Sequence, residues 1–178
     1  FIGRLTPVKK LGNLILLLRK LNDNNYHSNL IIVGDGPCKK ELEAMAVKHN
    51  VSNRTWFYGA CFDETVNAEL IFNADVCISP GNVGLTALHA MQYGTPVISH
   101  SLFDQQGPEY ETIVPYSTGL LFEKDNYEDC YASTCEWLEF AKDRREEIRN
   151  NCYEMINNKW NSDSQIEILE KVLNRNAK

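Results

Sequence analysis

Two basic residues near the start of the chain carry the side chains that best bind phosphate groups. Arg4 and Lys9 follow the apolar run 1–3, which is typical of the end of a β-strand. Arginine offers a planar fork of hydrogen-bond donors and lysine a compact charge, so the two together suit a diphosphate. Most arginines and lysines are solvated surface cations, and this pair alone does not exclude that simpler interpretation.

A loop in the middle of the chain predicts a second anion site. Pro80-Gly81-Asn82-Val83-Gly84-Leu85 leads into a predicted helix that ends at Tyr93. A helix N-terminus presents free backbone N–H groups and the positive end of a dipole, so it binds anions without a cationic side chain. Gly84 allows the backbone to approach a phosphate closely. An ordinary strand-to-helix turn is the alternative, weakened because this loop and the Arg4/Lys9 pair share one predicted sheet edge.

Other phosphate-binding signatures do not occur in the sequence. No G-x-G-x-x-G segment follows a strand, and no G-x-x-x-x-G-K-[ST] segment is present. Gly34-Asp35-Gly36-Pro37 has a proline where a dinucleotide-binding fold needs open helix amides. These features argue against an NAD-binding protein and against a P-loop ATPase.

One histidine and two pairs of acids are further candidates. His89 lies at the edge of an apolar helical arc, where a histidine is usually structural, although it would face a ribose if the helix N-terminus binds phosphates. Glu109 and Glu111 stand two residues apart in an irregular segment and are solvated acids by default. Asp63 and Glu64 are predicted to form the N-cap region of a helix.

Alternating strand and helix patterns must position these residues. Their order implies a Rossmann-like α/β fold, a parallel sheet with helices on both faces. Ligands of such sheets bind at the carboxyl ends of the strands. The irregular segment 103–117 is predicted to be a mobile loop. The predicted strands lie at 29–33, 55–58, 75–79, 95–99 and 119–122, and the predicted helices at 10–22, 37–49, 64–73, 84–93 and from 126 onward.

Length and charge narrow the class of protein. The 178 residues suit a single domain with a core, and the aliphatic run 14–18 is far too short to span a bilayer. The chain begins at Phe1 without a methionine, which predicts a fragment of a longer protein. A net charge of −6 argues against nucleic-acid binding, although residues 1–50 carry eight basic against four acidic side chains. The six cysteines form no C-x-x-C pair or zinc spacing, which favours free thiols in a reducing cytoplasm.

Taken in order, these segments resemble the C-terminal, donor-binding domain of a GT-B glycosyltransferase, specifically of glycosyltransferase family 4 (glycosyl transferases group 1). The resemblance covers about 1–125, and an ordered set of motifs is far more specific than any single one. The matching segments are Phe1-Ile2-Gly3-Arg4-Leu5 with Lys9, Leu30 to Pro37, Phe57-Tyr58-Gly59, Ala74 to Pro80, Val83-Gly84-Leu85 with Leu88, Ala90-Met91 and Gly94 to Ile98, and Gly119-Leu120-Leu121-Phe122.

The resemblance implies roles for individual residues. Arg4 and Lys9 would hold the donor diphosphate and stabilise it as a leaving group, which makes them the implied catalytic residues. The backbone of Gly84 and Leu85 would bind a phosphate, the loop after Gly59 would line the base, and Glu111 aligns with an acid of the family. The full set of implied donor-binding residues is Gly3, Gly34, Gly36, Gly59, Gly81, Asn82, Val83, Gly84, Leu85, His89 and Glu111.

The chain departs from the family at two positions. The family usually carries two acids eight positions apart, the first contacting the donor sugar and the second the ribose. Gly81 and His89 occupy those positions here. His89 retains the capacity to hydrogen-bond a ribose hydroxyl, whereas glycine has no side chain, so the sugar-contacting role is unassigned.

The resemblance therefore implies the donor half of a retaining enzyme of polysaccharide or glycolipid assembly in a bacterial cytoplasm, at or near the inner membrane face. Its partners would be a nucleoside-diphosphate sugar and, through an N-terminal domain, a saccharide or glycolipid acceptor. No Asp-x-Asp segment is present, so no metal ion or other cofactor is expected. Two alternatives remain, a catalytically degenerate binding or scaffolding module and a sugar-nucleotide epimerase, and the second lacks a convincing acid/base pair.

Overall fold

Five short parallel strands organise the chain in the computed structural model, which describes residues 1–176. They coincide with the five predicted strands to within about two residues at each end. Helices flank them, so the fold is the predicted Rossmann-like α/β arrangement. The strands are β1 (Leu30–Val33), β2 (Thr55–Gly59), β3 (Cys77–Ser79), β4 (Val97–His100) and β5 (Gly119–Phe122).

The strands form two parallel pieces rather than one continuous sheet. β1 pairs with β2, while β4 lies between β3 and β5. The predicted strand end at Phe1 to Gly3 contributes a single parallel bridge, from Ile2 to Val33. A cavity of about 560 Å³ is lined by residues of both pieces, Ile31 of β1 and Ile78 of β3 among them.

Seven α-helices complete the fold of residues 1–176. The first has the predicted apolar face, since Leu14, Leu18 and the N-cap Leu11 are all at least 97% buried. The second helix begins two residues later than predicted, at Lys39 rather than at Pro37. Before it begins, the N–H of Cys38 donates a hydrogen bond to the carbonyl of Leu5. The helices are α1 (Gly12–Asp23), α2 (Lys39–Lys48), α3 (Glu64–Phe72), α4 (Thr86–Gln92), α5 (Tyr127–Ala141), α6 (Arg145–Lys159) and α7 (Ser162–Asn176).

One hydrophobic core extends along both strand pieces and the helices beside them, from Leu14 of α1 and Leu42 of α2 to Trp137 of α5. Every residue of β4 is buried, as expected for the central strand of a parallel sheet. α5 packs on β4 and β5, and α6 packs on α4. Trp137 of α5 is completely buried and stacks at an angle on Phe140, with ring centroids 5.5 Å apart. This packing holds α4, and therefore the loop that leads into it, in a fixed position.

The structure also bears on two local predictions, the N-cap at Asp63 and the irregular segment 103–117. Asp63 is confirmed as the N-cap of α3, since its carboxylate accepts hydrogen bonds from the N–H groups of Thr65 and Val66. The segment 103–117, predicted to be irregular, contains two 3-10 turns, Phe103–Gln105 and Pro108–Thr112. Hydrogen bonds from side chains within this segment tie it to β4 and to the loop before α4, as described below.

Candidate functional site

Three loops meet where the first strands end. The Gly3 N–H donates to the Val33 carbonyl over 2.9 Å, and the Gly34 N–H donates to the Gly59 carbonyl over 2.7 Å. Gly34 has φ +140°, and a methyl group placed on it would overlap the Gly3 carbonyl oxygen. Gly36 likewise leaves no room against the backbone of Leu5. The glycines of these loops therefore bring the backbone that carries Arg4 against the neighbouring strand ends.

The close approach at Gly34 predicts a large cost for adding a side chain. Gly34→Ala is expected to destabilise the fold by about 2–5 kcal/mol, because it combines a disfavoured φ with overpacking. Gly59 has a similar positive φ, +91°, but open space around it. Gly59→Ala is therefore expected to cost only about 1–2 kcal/mol. Urea unfolding of both variants measures the difference, and equal costs would refute the packing argument.

The two predicted diphosphate-binding cations have different environments. Arg4 is exposed, and its side chain makes no hydrogen bond or ion pair within the described part of the chain. Lys9 is half-buried, and its Nζ donates to the carbonyls of Asn82 over 2.7 Å and Val83 over 3.3 Å. Burial lowers the pKa of Lys9, and the nearby Glu109 carboxylate opposes that shift. The Arg4 side chain is thus available to bind a ligand. Lys9 carries a positive charge and also holds the loop before α4 in place through its two hydrogen bonds.

The loop before α4 is fixed on both sides. Its first half hydrogen-bonds the backbone around Lys9, with Gly81 N–H donating to the Lys9 carbonyl over 3.1 Å. On its other side, the N–H of Val83 donates to the Gln106 side chain over 2.9 Å. The N–H groups of Gly84 and Leu85 find no acceptor in residues 1–176. A carbon placed on Gly84 would lie 3.7 Å from Lys9 Nζ, so free amides and a positive charge face one small volume.

Gly81 itself is buried within this arrangement. A methyl group there would overlap the Val8 carbonyl oxygen and approach the Lys9 backbone to 2.8 Å. The loop conformation therefore admits no side chain at the position to which the sequence resemblance assigns a sugar-contacting acid.

His89 contacts an acid that sequence reasoning treated only as part of a helix cap. Its Nε2 lies 2.7 Å from Glu64 Oε1, and the Tyr93 hydroxyl donates to the same oxygen over 2.7 Å. These two hydrogen bonds, the one from Tyr93 first, lower the pKa of Glu64. His89 and Glu64 are 25 positions apart in the sequence, so no local sequence pattern predicts this contact between α3 and α4.

Of the two loop acids, Glu109 rather than the predicted Glu111 is the one whose charge acts on the pKa of Lys9. Glu111 is exposed in the second 3-10 turn and has no hydrogen-bond or ion-pair partner among residues 1–176. Glu109 is the loop carboxylate that interacts with the Lys9 charge. Gln106, which sequence reasoning missed, donates to Ser99 and to the His100 carbonyl while accepting from Val83. The loop after β4 is thereby joined to the phosphate-facing loop.

In the part of the chain that the structure describes, helices are all too short or too polar to cross a bilayer.

Comparison with known proteins identifies relatives for most of the chain. The family model of glycosyl transferases group 1 matches residues 1–155. A GDP-mannose-dependent α-(1-6)-phosphatidylinositol dimannoside mannosyltransferase of Mycobacterium tuberculosis is 33% identical over 99 residues. That alignment covers 54% of this chain but only 25% of the relative. The chain thus spans about a quarter of the length of the curated relative that it matches.

Solved structures share the fold at low sequence identity. TarM of S. aureus, solved with UDP, fondaparinux and α-GlcNAc-glycerol, superposes with a TM-score of 0.80 at 22% identity, over 97% of this chain and 34% of TarM. The catalytic domain of cholesterol-α-glucosyltransferase from Helicobacter pylori gives a TM-score of 0.74 at 22% identity, over 89% of this chain and 96% of that one. At these identities the likeness establishes the fold.

Proposed function

The chain belongs to glycosyl transferases group 1, and we propose that it is the donor-binding part of a retaining enzyme that transfers a sugar from a nucleoside-diphosphate sugar to a saccharide or glycolipid. The observation that carries this proposal is the volume beside Gly84. There the half-buried Lys9 ammonium lies beside the N–H groups of Gly84 and Leu85, which have no acceptor within residues 1–176. Arg4, whose side chain has no partner in the described part of the chain, supplies a second positive charge.

This arrangement suits the chemistry of a diphosphate leaving group. When the bond from the sugar's anomeric carbon to the β-phosphate oxygen breaks, negative charge develops on the nucleoside diphosphate. Arg4 and Lys9 would stabilise that charge together with the Gly84 and Leu85 amides. Preformed donors are effective here because they need no reorganisation during the reaction. We further propose that no metal ion is required, so that EDTA leaves transfer by the full-length protein unchanged.

Several observations support a nucleotide ligand of this kind. The mycobacterial relative carries GDP-mannose dependence in its name, and TarM was solved with UDP. The loops lined by Gly3, Gly34 and Gly59 lie at the same strand ends as the phosphate-facing loop. We place the base against the loop that follows Gly59 and the acceptor on a part of the protein outside this chain. For the whole enzyme we propose a role in bacterial polysaccharide or glycolipid assembly on the cytoplasmic side, with at most peripheral membrane association.

Calorimetric titration of the chain with UDP, GDP, ADP and NAD tests the proposal. We expect one nucleoside diphosphate to bind selectively and NAD not to bind, because the Gly34–Pro37 turn lacks the open helix amides of a dinucleotide site. The selected nucleotide would also identify the base. Absence of binding to all four, both by this chain and by the full-length protein, would contradict the proposal.

The second candidate is a catalytically degenerate binding module, and the observation that favours it is the lack of space at Gly81. Restoring an acid there would displace the Lys9 segment, so Gly81→Glu does not separate the candidates. Donor hydrolysis by the full-length protein does. Slow release of free sugar from the selected donor would favour an enzyme, and nucleotide binding without turnover would favour the degenerate module.

A further inference from the structure

The side chains of His89 and Tyr93 meet at one carboxylate oxygen of Glu64. Glu64 is the first residue of α3, His89 lies on α4, and Tyr93 directly follows α4. Both of the latter approach Glu64 Oε1 to 2.7 Å. A carboxylate only accepts hydrogen bonds, so His89 Nε2 carries the proton in this contact. The side chain of Glu64 is 58% exposed and that of His89 is 28% exposed, which leaves the carboxylate accessible to a ligand.

The position of this cluster along α4 matches the order of groups in a nucleotide. His89 lies four residues after Leu85, which corresponds to about 6 Å along a helix axis. This distance is of the order of that between a diphosphate and the ribose attached to it. On the other side, the loop that begins at Gly59, the last residue of β2, leads through the N-cap Asp63 to Glu64. Phosphate-facing amides, the Glu64 cluster and the β2 loop therefore follow one another in space.

From this geometry we infer that Glu64 is the carboxylate that binds the ribose hydroxyls of the donor, held in place by His89 and Tyr93. The inference rests on the proposed function and names a residue on α3 for a contact that the sequence resemblance places on α4. Oε1 is already occupied by two donors, while Oε2 accepts, among residues 1–176, only a 3.4 Å hydrogen bond from Asn67 Nδ2. Oε2 is thus open to accept a ribose hydroxyl, and hydrogen bonds to an ionised acceptor are the stronger ones.

A purely structural role would have a different signature. Contacts between exposed charged side chains contribute little to folding stability. Removing Glu64 should therefore leave the fold intact and alter ligand recognition, whereas a structural tie between α3 and α4 would affect every ligand equally. The discriminating quantity is the preference of the protein for a ribose with hydroxyls over one without them.

The experiment compares UDP with 2′,3′-dideoxy-UDP, or the corresponding GDP or ADP pair if the titration above selects that base. Binding is measured for the unchanged chain and for Glu64→Ala, Glu64→Gln and Glu69→Ala. Glu69 is an exposed acid on the same helix whose side chain makes no hydrogen bond within residues 1–176, which makes it a matched control. Circular dichroism checks that each variant is folded.

We expect the unchanged chain and Glu69→Ala to prefer the ribose ligand by roughly tenfold or more. Glu64→Ala should lose that preference by weakening only the ribose ligand, and Glu64→Gln should retain part of it. An unchanged preference in Glu64→Ala, or equally weakened binding of both ligands, would overturn the assignment of Glu64 and leave the proposed function standing. Failure of the unchanged chain and of the full-length protein to bind either ligand would overturn the proposed function as well.

Discussion

Replacing Arg4 and Lys9 together by alanine is expected to reduce the affinity for the selected nucleoside diphosphate by more than roughly a hundredfold. Each charge-assisted hydrogen bond to a phosphate contributes about 1–3 kcal/mol, and both residues are placed to make one. Affinity should also fall less steeply with added salt in the double variant, because fewer charges take part. Calorimetric titration at two salt concentrations measures both effects.

The two single variants should differ in a second respect. Lys9→Ala removes a charge and also frees the Asn82 and Val83 carbonyls, so it should loosen the loop before α4. Arg4→Ala removes only charge, because Arg4 has no partner within residues 1–176. Hydrogen exchange should therefore rise around Gly84 in Lys9→Ala alone. Lys40→Ala, an exposed position on α2, is the control, and nucleotide affinity equal to that control in the double variant would refute the diphosphate assignment.

Trp137→Ala is expected to cost about 3–5 kcal/mol of unfolding free energy, the usual range for emptying a buried aromatic site. Trp137 has no exposed surface and packs between the strands and Phe140. Such a loss is a large fraction of the stability of a domain of this size. Urea unfolding measures it as a lower midpoint with an unchanged slope.

A second substitution separates packing from hydrogen bonding at this site. The indole N–H of Trp137 is buried and has no acceptor in the described residues. Trp137→Phe removes that N–H, and its ring still fills most of the site, so the cavity it leaves is much smaller than the one alanine leaves. It should therefore destabilise the fold by less than half as much as Trp137→Ala. Trp56→Ala, at a tryptophan 53% exposed, should cost about 1 kcal/mol or less. Equal midpoints for Trp56→Ala and Trp137→Ala would show that the buried packing is not what holds α5.

Local chemistry in the sequence was sufficient for most of the fold. Short apolar runs bounded by glycine and proline predicted all five strands, because strands of a buried parallel sheet need apolar residues on both faces. Asp63 was identifiable as a helix cap because capping depends on residues only two or three positions away. The ordered motifs identified the family because each is also local: its glycines and prolines are the residues that the backbone of one loop requires.

What the tertiary structure decided concerns residues that are distant along the chain. The sequence alone indicated Arg4, Lys9 and the Gly84 loop as an anion site. It did not indicate that Glu109 rather than Glu111 interacts with Lys9, or that Gln106 joins two loops. Nor did it indicate that Glu64 meets His89, because that contact depends on how α3 and α4 pack. Spacing within a segment determines which groups a loop presents, whereas packing between segments determines which of those groups face the same point in space.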